Sequence, residues 1–257
     1  MVNTVGRLSG RRALITGAAG GIAQETARHF AREGAQLLLT DLDAAALAPL
    51  VDELQSAGAV TVTASADLTN RSDVEDLIAC GEKELGGLEI LVTCAGGYTS
   101  YANFEEIEEE DWDGTIELNL KTVYLCCKAV IPLMKRAGWG RIINIGSLAG
   151  RSTSAGTSPA HYATAKAGVS ILTQYIAKDV AEFGITANTI APGTTSTDRV
   201  RRVLTPDRET QFVARTPVGR LAEPKDIAGV ITFLGSNESS YITGATLDVN
   251  GGRLMLT

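Results

Sequence analysis

The stretch Ala13-Leu14-Ile15-Thr16-Gly17-Ala18-Ala19-Gly20-Gly21-Ile22-Ala23 begins as a short apolar run and continues through a glycine-rich turn. A helical pattern follows it as far as Phe30. An apolar run, a glycine turn and a helix in this order predict the first strand and helix of a βαβ unit. Such a turn can bind a pyrophosphate, because glycines let phosphate approach the backbone and the helix N-terminus offers unpaired N–H groups. An ordinary glycine-rich turn would have the same sequence, so the motif needs support from other residues.

The same alternation continues to the C-terminus. Further apolar runs predict strands at 37–40, 60–64, 90–92, 142–145, 185–190 and 246–249. Helical patterns lie between them, at 44–56, from Asn70 or Ser72 to about Leu85, from the acidic run 105–111 to about Arg136, at 160–183, and from Pro224. Segment 194–222 is polar, arginine-rich and weakly periodic. Strands that alternate with helices predict an α/β fold, a doubly wound parallel sheet of about seven strands with helices on both faces.

The composition limits the class of protein. The chain has 257 residues, of which 44% are hydrophobic and 21% charged, and no linker or repeat interrupts it, which predicts a single domain over 1–257. A net charge of −7 argues against nucleic acid or an anionic membrane as a partner. No apolar run approaches the roughly 18 residues of a membrane span, and the N-terminus does not resemble a signal peptide. The four cysteines form no Cys-x-x-Cys pattern and only two histidines are present, so we expect no metal site and a cytoplasmic protein with free thiols.

Asp41 supports dinucleotide binding at the glycine turn. It lies 20 residues beyond Gly21, at the end of the second predicted strand. A carboxylate there can accept hydrogen bonds from the adenosine ribose hydroxyls and would repel a 2′-phosphate. Neither Thr40 nor Leu42 supplies a cation to offset that repulsion. These residues favour NAD over NADP.

Tyr162 and Lys166 are four residues apart in an alanine-rich run, so they should share one face of a helix. The pKa of a free tyrosine is near ~10, and an ammonium group close by favours the phenolate and lowers that pKa. Such a pair can take a proton from an alcohol or give one to a ketone. Tyr-x-x-x-Lys also occurs by chance on many surface helices, so the pair carries weight only together with the rest of the chain.

Over nearly its whole length the chain resembles the short-chain dehydrogenase/reductase family. The matching stretches are the 16–23 turn, Asp67-Leu68, Ala95-Gly96, Asn119, Ser147, Tyr162 with Lys166, Pro192-Gly193 with Thr197, and Ile242-Thr243-Gly244. Each stretch is modest alone, but their order and spacing together are highly specific. The resemblance implies an oxidoreductase that interconverts a secondary alcohol and a ketone with a nicotinamide dinucleotide.

The resemblance also implies a role for each matching residue. Asn119, Ser147, Tyr162 and Lys166 would form the catalytic tetrad, with Tyr162 as general acid/base and Ser147 orienting the substrate oxygen. Lys166 would lower the pKa of Tyr162 and hold a ribose hydroxyl, and Asn119 would anchor a water that links Lys166 to solvent. The cofactor would be bound by Gly17, Ala19, Gly20, Gly21, Ile22, Asp41, Leu42, Asp67, Leu68, Ala95, Gly96, Tyr162, Lys166, Pro192, Gly193, Thr195 and Thr197.

Two departures from the family pattern change our expectations. The last glycine of the nucleotide turn is Ala23 here, and one methyl group there should shift packing without abolishing phosphate binding. The family's Asn-Asn-Ala-Gly is Thr93-Cys94-Ala95-Gly96, which puts in doubt the side-chain hydrogen bonds that stiffen the strand. We interpret Cys94 as a buried small residue rather than a reactive thiol, and His161 as structural.

The sequence says less about the substrate than about the cofactor and the catalytic residues. The expected pocket walls are the loops 97–103, 148–160 and 194–215, and the middle loop is rich in Ser and Thr (Ser152, Thr153, Ser154, Thr157 and Ser158), which predicts a partly polar pocket. Arg199, Arg201 and Arg202 would either meet a carboxylate or phosphate or be exposed arginines on a lid helix. Close relatives include 3-oxoacyl-carrier-protein reductases, which use NADPH. Because Asp41 opposes NADPH, we favour an NAD-dependent dehydrogenase of a small hydroxylated or cyclic alcohol.

Other interpretations stay open at the level of sequence. The chain could be a 3-oxoacyl-carrier-protein reductase, or a dinucleotide-binding regulator that keeps the fold without turnover; an intact tetrad argues against the regulator. A nucleotide-sugar epimerase would need a longer chain with a C-terminal substrate domain. Family members are usually homotetramers, and the apolar segments 118–134 and 171–180 are compatible with a homotetramer or homodimer, as they are with core burial.

Overall fold

The computed structural model describes residues 6–98, 101–153 and 158–255. Its strands, in chain order, are β1 (Arg12–Thr16), β2 (Gln36–Asp41), β3 (Thr61–Ser65), β4 (Ile90–Thr93), β5 (Gly140–Ile145), β6 (Ile185–Pro192) and β7 (Thr246–Val249). Its helices are α1 (Gly21–Arg32), α2 (Ala48–Ser56), α3 (Arg71–Leu85), α4 (Glu109–Ile116), α5 (Thr122–Ala137), α6 (Ala160–Val180), α7 (Asp198–Val203), α8 (Pro206–Ala214) and α9 (Pro224–Gly235). Strand and helix alternate as predicted.

The seven strands form one parallel sheet in the order β3-β2-β1-β4-β5-β6-β7. The order reverses at β1, because β2 and β3 extend to one side of it and β4 to β7 to the other. A crevice opens at such a reversal, beyond the carboxyl ends of the strands, and ligands of doubly wound sheets bind there. The predicted fold class is confirmed.

Apolar side chains cover both faces of the sheet. Leu14, Leu91 and Ile142 lie in one buried cluster, which α3, α5 and α6 complete. Ile15 and Ile90 point to the opposite face, where α1, α2 and α9 cover them. Burial on both faces explains why the strands read as continuous apolar runs rather than as alternating patterns. Among the described residues, no helix combines the length and apolar character needed to cross a membrane.

The long helix predicted from 105–111 to about Arg136 is wrong in one respect, because the structure divides it. A 3₁₀ turn (Phe104–Glu106) precedes α4, and a π-helical turn (Glu117–Lys121) separates α4 from α5. The acidic residues 109–111 do occupy the first turn of α4, where they complement its dipole. A π turn carries one extra residue per turn and is common at functional sites. Here it contains Asn119, whose side chain it holds in the interior.

Segment 194–222 contains two short helices that its weak periodicity did not predict. Thr197 caps α7 and Thr205 caps α8, each through its side-chain oxygen. Neither helix has a buried residue, so neither required an apolar stripe, and no helical pattern was visible in the sequence. Both helices follow β6 and lie beyond the carboxyl edge of the sheet.

Candidate active site

The glycine turn after β1 is held against the end of β4. Gly17 has a φ of +60°, and a Cβ atom there would lie 2.7 Å from the Ala95 Cα. The turn is also tied to β2, because the Ala18 N–H donates to the Thr40 carbonyl at 2.9 Å. The turn therefore sits in the crevice beside β1, and its first position admits only glycine.

The N-terminus of α1 faces into the same crevice. The helix begins at Gly21, and its N-cap, Gly20, has no side chain with which to cap the first N–H groups. Thr197 lies over this turn, since a Cβ at Gly21 would be 3.1 Å from the Thr197 Cγ2 atom. A bare helix N-terminus next to close backbone suits an anionic pyrophosphate. The structure brings the predicted turn residues and Thr197 together.

Asp41 ends β2 beside this turn. Its Oδ2 accepts a hydrogen bond from the Ala19 N–H at 3.0 Å, and its Oδ1 accepts from the Leu42 N–H at 2.8 Å. Within the described ranges Asp41 belongs to no ion pair, and the Leu42 side chain is 70% exposed. The carboxylate is thus fixed next to the glycine turn, with its negative charge not neutralised by a cation.

Of the two residues predicted to flank the adenine, Asp67 lies at the surface and Leu68 in the core. The Asp67 carboxylate accepts from the Thr69 N–H at 2.9 Å and from the Thr69 hydroxyl at 2.7 Å, and these bonds hold its pKa below the ordinary value. Leu68 is buried and packs in the core beneath α3. The Asp67 backbone N–H in turn donates to Asp73, a partner that the sequence reasoning did not find.

Gly96 connects the nucleotide crevice to the predicted tetrad. A Cβ atom at Gly96 would lie 2.7 Å from the Asn119 Oδ1 and 3.2 Å from the Lys166 Nζ. Just before it, the Thr16 hydroxyl accepts hydrogen bonds from the N–H groups of Cys94 and Ala95. The absence of a side chain at 96 is what allows the asparagine and the lysine to reach the end of β4.

The side-chain amide of Asn119 forms hydrogen bonds with the backbone. Its Oδ1 accepts from the Gly97 N–H at 2.8 Å, while its Nδ2 donates to the Gly97 carbonyl at 2.8 Å and to the Thr115 carbonyl at 2.9 Å. The side chain therefore clamps the loop after β4 to the π turn. The role predicted for Asn119 in anchoring a water stays a prediction.

Ser147 and Tyr162 meet at the end of β5. Ser147 caps the 3₁₀ turn Leu148–Gly150 by accepting from the Ala149 N–H at 3.1 Å, and it forms a hydrogen bond with the Tyr162 hydroxyl. That turn packs directly on α6, since a Cβ at Gly150 would lie 2.6 Å from the Ala167 nitrogen. The close approach fixes the position of Ser147 relative to the helix that carries Tyr162.

Lys166 is buried one helical turn beyond Tyr162. Its Nζ donates to the Ile145 carbonyl at 2.8 Å and lies 5.8 Å from the centre of the Tyr162 ring. Burial disfavours the charged ammonium and lowers the Lys166 pKa to about 8. A titratable group shifted this far at the edge of a crevice is typical of functional sites.

The pKa of Tyr162 differs from the sequence-based expectation. Burial raises it above the ordinary value, and the hydrogen bond with Ser147 and the positive charge of Arg199 oppose that rise. We expected Lys166 to be the cation that lowers this pKa. In the structure the Lys166 ammonium donates to the Ile145 carbonyl, and the positive charge of Arg199 adds to the effects that oppose the rise of the Tyr162 pKa.

The loop after β6 closes the crevice on its other side. The Gly193 N–H donates to the Val249 carbonyl at 3.0 Å, so the turn after Pro192 is tied to β7. Thr195 forms a short β-bridge with Ala222, and its hydroxyl donates to the Gly193 carbonyl at 3.1 Å. Thr197 follows as the N-cap of α7. These contacts place the residues predicted to hold the nicotinamide opposite the glycine turn.

Comparison with known proteins matches this arrangement. The family model described as enoyl-(acyl carrier protein) reductase, which is a short-chain dehydrogenase/reductase model, matches residues 17–253. The chain belongs to the short-chain dehydrogenase/reductase family. It is therefore an oxidoreductase of a family that acts on CH–OH groups with nicotinamide dinucleotides.

Relatives and solved structures cover the whole chain. It is 38% identical to a 3-oxoacyl-[acyl-carrier-protein] reductase of Vibrio cholerae over 97% of this chain and 99% of that protein. It is 36% identical to a cyclohexanol dehydrogenase of Rhodococcus sp., over 95% of this chain and 96% of that one. The crystal structure of a short-chain type dehydrogenase/reductase from Mycobacterium marinum superposes with a TM-score of 0.91 at 31% identity, covering 97% of each chain.

Two further residues lie at this site although they were not among the predicted catalytic or cofactor-binding residues. The Tyr98 ring stacks at a tilt on Tyr162, with 4.8 Å between ring centres. Arg199 donates from Nη1 to the Gly96 carbonyl at 3.4 Å and from Nη2 to the Tyr98 carbonyl. Tyr98 was visible only as part of the expected pocket wall 97–103, and Arg199 as one of three arginines.

A groove of about 250 Å³ lies between the loop after β4 and the start of α6, and Ala163, the neighbour of Tyr162 in sequence, is one of its lining residues. Residues 101–104 form one wall, and Ala149, Ser152, Thr153, 158–160 and Ala163 form the other. Tyr101 and Phe104 are largely exposed on its rim. Two of the expected walls, 97–103 and 148–160, do line this groove, although Ser154 and Thr157 lie outside the described residues. The third, 194–215, is absent from its lining.

The departure from the family pattern at Thr93-Cys94 is compensated within the fold. Thr93 donates from its hydroxyl to the buried Asn144 Oδ1 at 2.8 Å, and Asn144 donates to Thr173 at 2.9 Å, so β4, β5 and α6 are joined by side-chain hydrogen bonds after all. Burial raises the pKa of the Cys94 thiol to about 12, as expected of an unreactive cysteine. His161 is buried on α6, and its Nδ1 has no partner among the described residues.

Proposed function

We propose that this chain, acting as one catalytic domain, is an NAD-dependent dehydrogenase that interconverts a secondary alcohol and a ketone. The observation that carries the proposal is the Tyr162 hydroxyl, bonded to Ser147 one helical turn from the buried Lys166, at the mouth of the nucleotide crevice. A tyrosine hydroxyl in such a cluster can take a proton from a substrate alcohol or give one to a ketone oxygen.

The residues of the crevice fit a dinucleotide. A side chain at Gly17 would overlap Ala95 and one at Gly21 would press on Thr197, so the turn is a backbone cradle that a phosphate can approach. Gly17, Ala19, Gly20, Gly21 and Ile22 would hold the pyrophosphate, and Thr195 and Thr197 the nicotinamide end. When bound, the nicotinamide accepts or returns the hydride.

In the oxidising direction Tyr162 must first lose its own proton, and as the phenolate it then takes the proton of the substrate hydroxyl. Ser147 orients the substrate oxygen, because its hydroxyl already lies within hydrogen-bond distance of the phenol. Lys166 supplies a buried cation whose pKa of about 8 lets it hold or release a proton near neutral pH. In the reducing direction Tyr162 gives its proton to the ketone oxygen.

Asp41 supports NAD rather than NADP. Its carboxylate is fixed beside the glycine turn without a neutralising cation, so a ribose hydroxyl could donate to it whereas a 2′-phosphate would be repelled. Asp67 and Leu68 would flank the adenine, Leu42 would lie at its outer edge, and Ala95, Gly96, Pro192 and Gly193 would line the centre of the cofactor site.

The groove supports a small hydroxylated or cyclic substrate. Its volume of about 250 Å³ and its mixed lining of aromatic rings and hydroxyl groups suit a ring-sized ketone or alcohol. One relative is a cyclohexanol dehydrogenase. The second candidate is a 3-oxoacyl-carrier-protein reductase, favoured by the 38% identity to the Vibrio enzyme. Against it stand Asp41 and the net charge of −7, which would repel an acidic carrier protein.

The test is a panel of substrates assayed with both coenzymes in parallel. Cyclohexanol and small secondary alcohols are oxidised with NAD⁺ or NADP⁺, and cyclohexanone and acetoacetyl thioesters are reduced with NADH or NADPH. We expect alcohol oxidation with NAD⁺, and a loss of about 10²- to 10⁴-fold in Tyr162→Phe. Tyr241→Phe, which makes the same change at a fully exposed position, is the matched control.

Each alternative has its own result in this panel. Turnover restricted to acetoacetyl thioesters with NADPH would identify the carrier-protein reductase. Equal rates for wild type and Tyr162→Phe would favour the non-catalytic dinucleotide-binding protein.

We also propose a homotetramer in the cytoplasm. The π turn, α5 and α6 carry exposed apolar side chains, namely Leu118, Tyr124, Ile171 and Tyr175. Such faces on two long helices are suited to helix pairing between subunits. The four cysteines are free thiols, which supports a reducing compartment.

A further inference from the structure

Arg199 lies in the first turn of α7, but its guanidinium group reaches across the crevice. It donates to the carbonyl groups of Gly96 and Tyr98, in the loop after β4. A side chain at Gly97 would overlap the guanidinium, which shows how closely it fits against this loop. The same loop carries Tyr98, whose ring stacks on Tyr162.

The other two arginines of α7 do not enter the crevice. Arg201 donates to the Ser196 hydroxyl at 3.1 Å and to the Ser196 carbonyl at 2.9 Å. Arg202 donates to the Asp198 carbonyl at 3.2 Å. Of the three arginines that the sequence singled out, Arg199 is therefore the one that contacts the loop after β4, whose Tyr98 ring stacks on Tyr162.

The charge of Arg199 has no acidic partner. In the residues described by the structure, no carboxylate lies within ion-pair distance of it, and its hydrogen-bond partners are neutral carbonyl groups. Among the described residues, five other arginines each place their planar fork on a carboxylate, namely Arg7 on Glu33, Arg12 on Glu89, Arg28 on Glu53, Arg151 on Asp248 and Arg220 on Asp226. Arg199 presents the same fork of donors with no anion to receive it.

The charge of Arg199 lies against the loop that carries Tyr98, whose ring centre is 4.8 Å from that of Tyr162. Arg199 is one of the groups that oppose the rise of the Tyr162 pKa, so its field reaches the phenol. A substrate whose oxygen is bonded to Tyr162 and Ser147 would extend along the crevice toward the guanidinium. Backbone carbonyls are weaker acceptors than a carboxylate, which forms two charge-assisted hydrogen bonds with arginine, so an anionic substrate group could displace them.

We propose that Arg199 is a specificity-determining residue that binds a carboxylate of the substrate, so that among small hydroxylated substrates the hydroxy acids and oxo acids are preferred over their neutral counterparts. The proposal rests on the proposed function and specifies its substrate class. The neutral thioester end of an acyl-carrier substrate would leave this guanidinium without an anion.

The test compares acids with their neutral esters. Acetoacetate, 4-oxopentanoate and 5-oxohexanoate, each beside its methyl ester, are reduced with NADH by wild type, Arg199→Gln and Arg202→Gln. The series varies the distance from the ketone to the carboxylate. A charged hydrogen bond contributes about 1.5–3 kcal/mol, so we expect Arg199→Gln to lose roughly 10- to 150-fold in kcat/KM on the best acid. It should lose less than about threefold on the matching ester, and Arg202→Gln should change neither.

The acid-to-ester ratio separates recognition from a structural role, because a distorted site would lower both rates together. An unchanged ratio in Arg199→Gln, or a wild type that prefers no acid over its ester, overturns the proposal. Calorimetric titration of the same six compounds distinguishes it from the proposed function. Acids that bind wild type more tightly than Arg199→Gln without being reduced would support anion recognition and refute dehydrogenase activity. Acids that neither bind nor react would overturn both.

Discussion

The two sides of the crevice are built from different parts of the chain. On the side where we propose that the nucleotide binds, called the nucleotide side, the main chain forms the surface, because Gly17 lies close against the backbone at Ala95 and Gly20 leaves the start of α1 uncapped. On the substrate side the surface consists of side chains, led by Tyr162 and Arg199, which come from α6 and α7. Gly96 is the point at which the two sides meet.

The difference shows where each side can tolerate change. A backbone cradle is fixed by close approach, so one added methyl group should damage both folding and cofactor binding. A side-chain surface can be altered at single positions while the fold persists, and this is how one scaffold serves many substrates. Each of the following predictions tests one part of this contrast.

Gly17→Ala should have the largest effect. The new Cβ would combine a left-handed backbone, which costs about 1–2 kcal/mol, with overlap at the Ala95 Cα, which costs about 1–3 kcal/mol more. Gly58→Ala is the matched control, because Gly58 has a φ of +85° and nothing within 4 Å of its Cβ position. Denaturant unfolding measures both variants, and fluorescence titration with NADH measures cofactor affinity.

We expect Gly17→Ala to be less stable than Gly58→Ala and to lose affinity for NADH, whereas Gly58→Ala keeps it. Equal losses of stability with unchanged NADH affinity would mean that close approach to β4 is not what shapes the nucleotide side. The contrast between the two sides would then have no basis.

Lys166→Met tests the buried cation on the substrate side. The Lys166 pKa is about 8 in the fold and about 10.4 in an unfolded chain, so between these values the unfolded chain binds more protons. The free energy of unfolding of the wild type should therefore rise with pH from about 8 to about 10.5, by up to about 3 kcal/mol. Below pH 8 the full cost of burying the ammonium is present.

The measurement is the difference in unfolding free energy between wild type and Lys166→Met across that pH range. The stability of the variant relative to wild type should fall as the pH rises. Lys178→Met, at an exposed position on the same helix, should show no such slope. A constant difference for Lys166→Met would show that the ammonium is solvated in the fold, which contradicts its burial.

Whether a feature could be predicted from the sequence depends on whether local backbone geometry or the course of a loop determines it. The glycine turn, Asp41 and the end of β4 were predictable because backbone approach requires glycine at fixed spacing, and a parallel sheet brings its strand ends to one edge. The Tyr162 and Lys166 pair was visible for a similar reason, as two residues one helical turn apart. Local geometry alone determines these features.

Features that depend on loop conformation were not predictable. The π turn at Asn119 has no sequence pattern that separates it from a continuous helix, so a single long helix was expected. Arg199 could be named as a candidate, but only the course of α7 decides that it, rather than Arg202, contacts the loop after β4. Sequence spacing identified Lys166, one helical turn from the phenol, but it could not show that Arg199, from another element, also influences the Tyr162 pKa.

The smallest effects are expected from two threonines that flank β1. In the sheet Thr16 is level with Thr93 on one side and with Thr40 on the other. The Thr93 hydroxyl donates to the buried Asn144, whereas the buried Thr40 hydroxyl has no partner among the described residues. Thr93→Val should cost about 1–3 kcal/mol, because it leaves a buried amide oxygen without its main donor.

Thr40→Val removes a hydroxyl that forms no hydrogen bond, so it should be neutral or stabilise the fold by up to about 1 kcal/mol. Urea unfolding midpoints of the two variants, which make the same chemical change at the same level of the sheet, measure the difference directly. A Thr40→Val variant as damaging as Thr93→Val would mean that both hydroxyls are satisfied in solution. In that case β2, the strand that bears Asp41, would depend on a threonine hydrogen bond as β4 does. The hydrogen bonds from β4 to α6 would then not distinguish the substrate side from the nucleotide side.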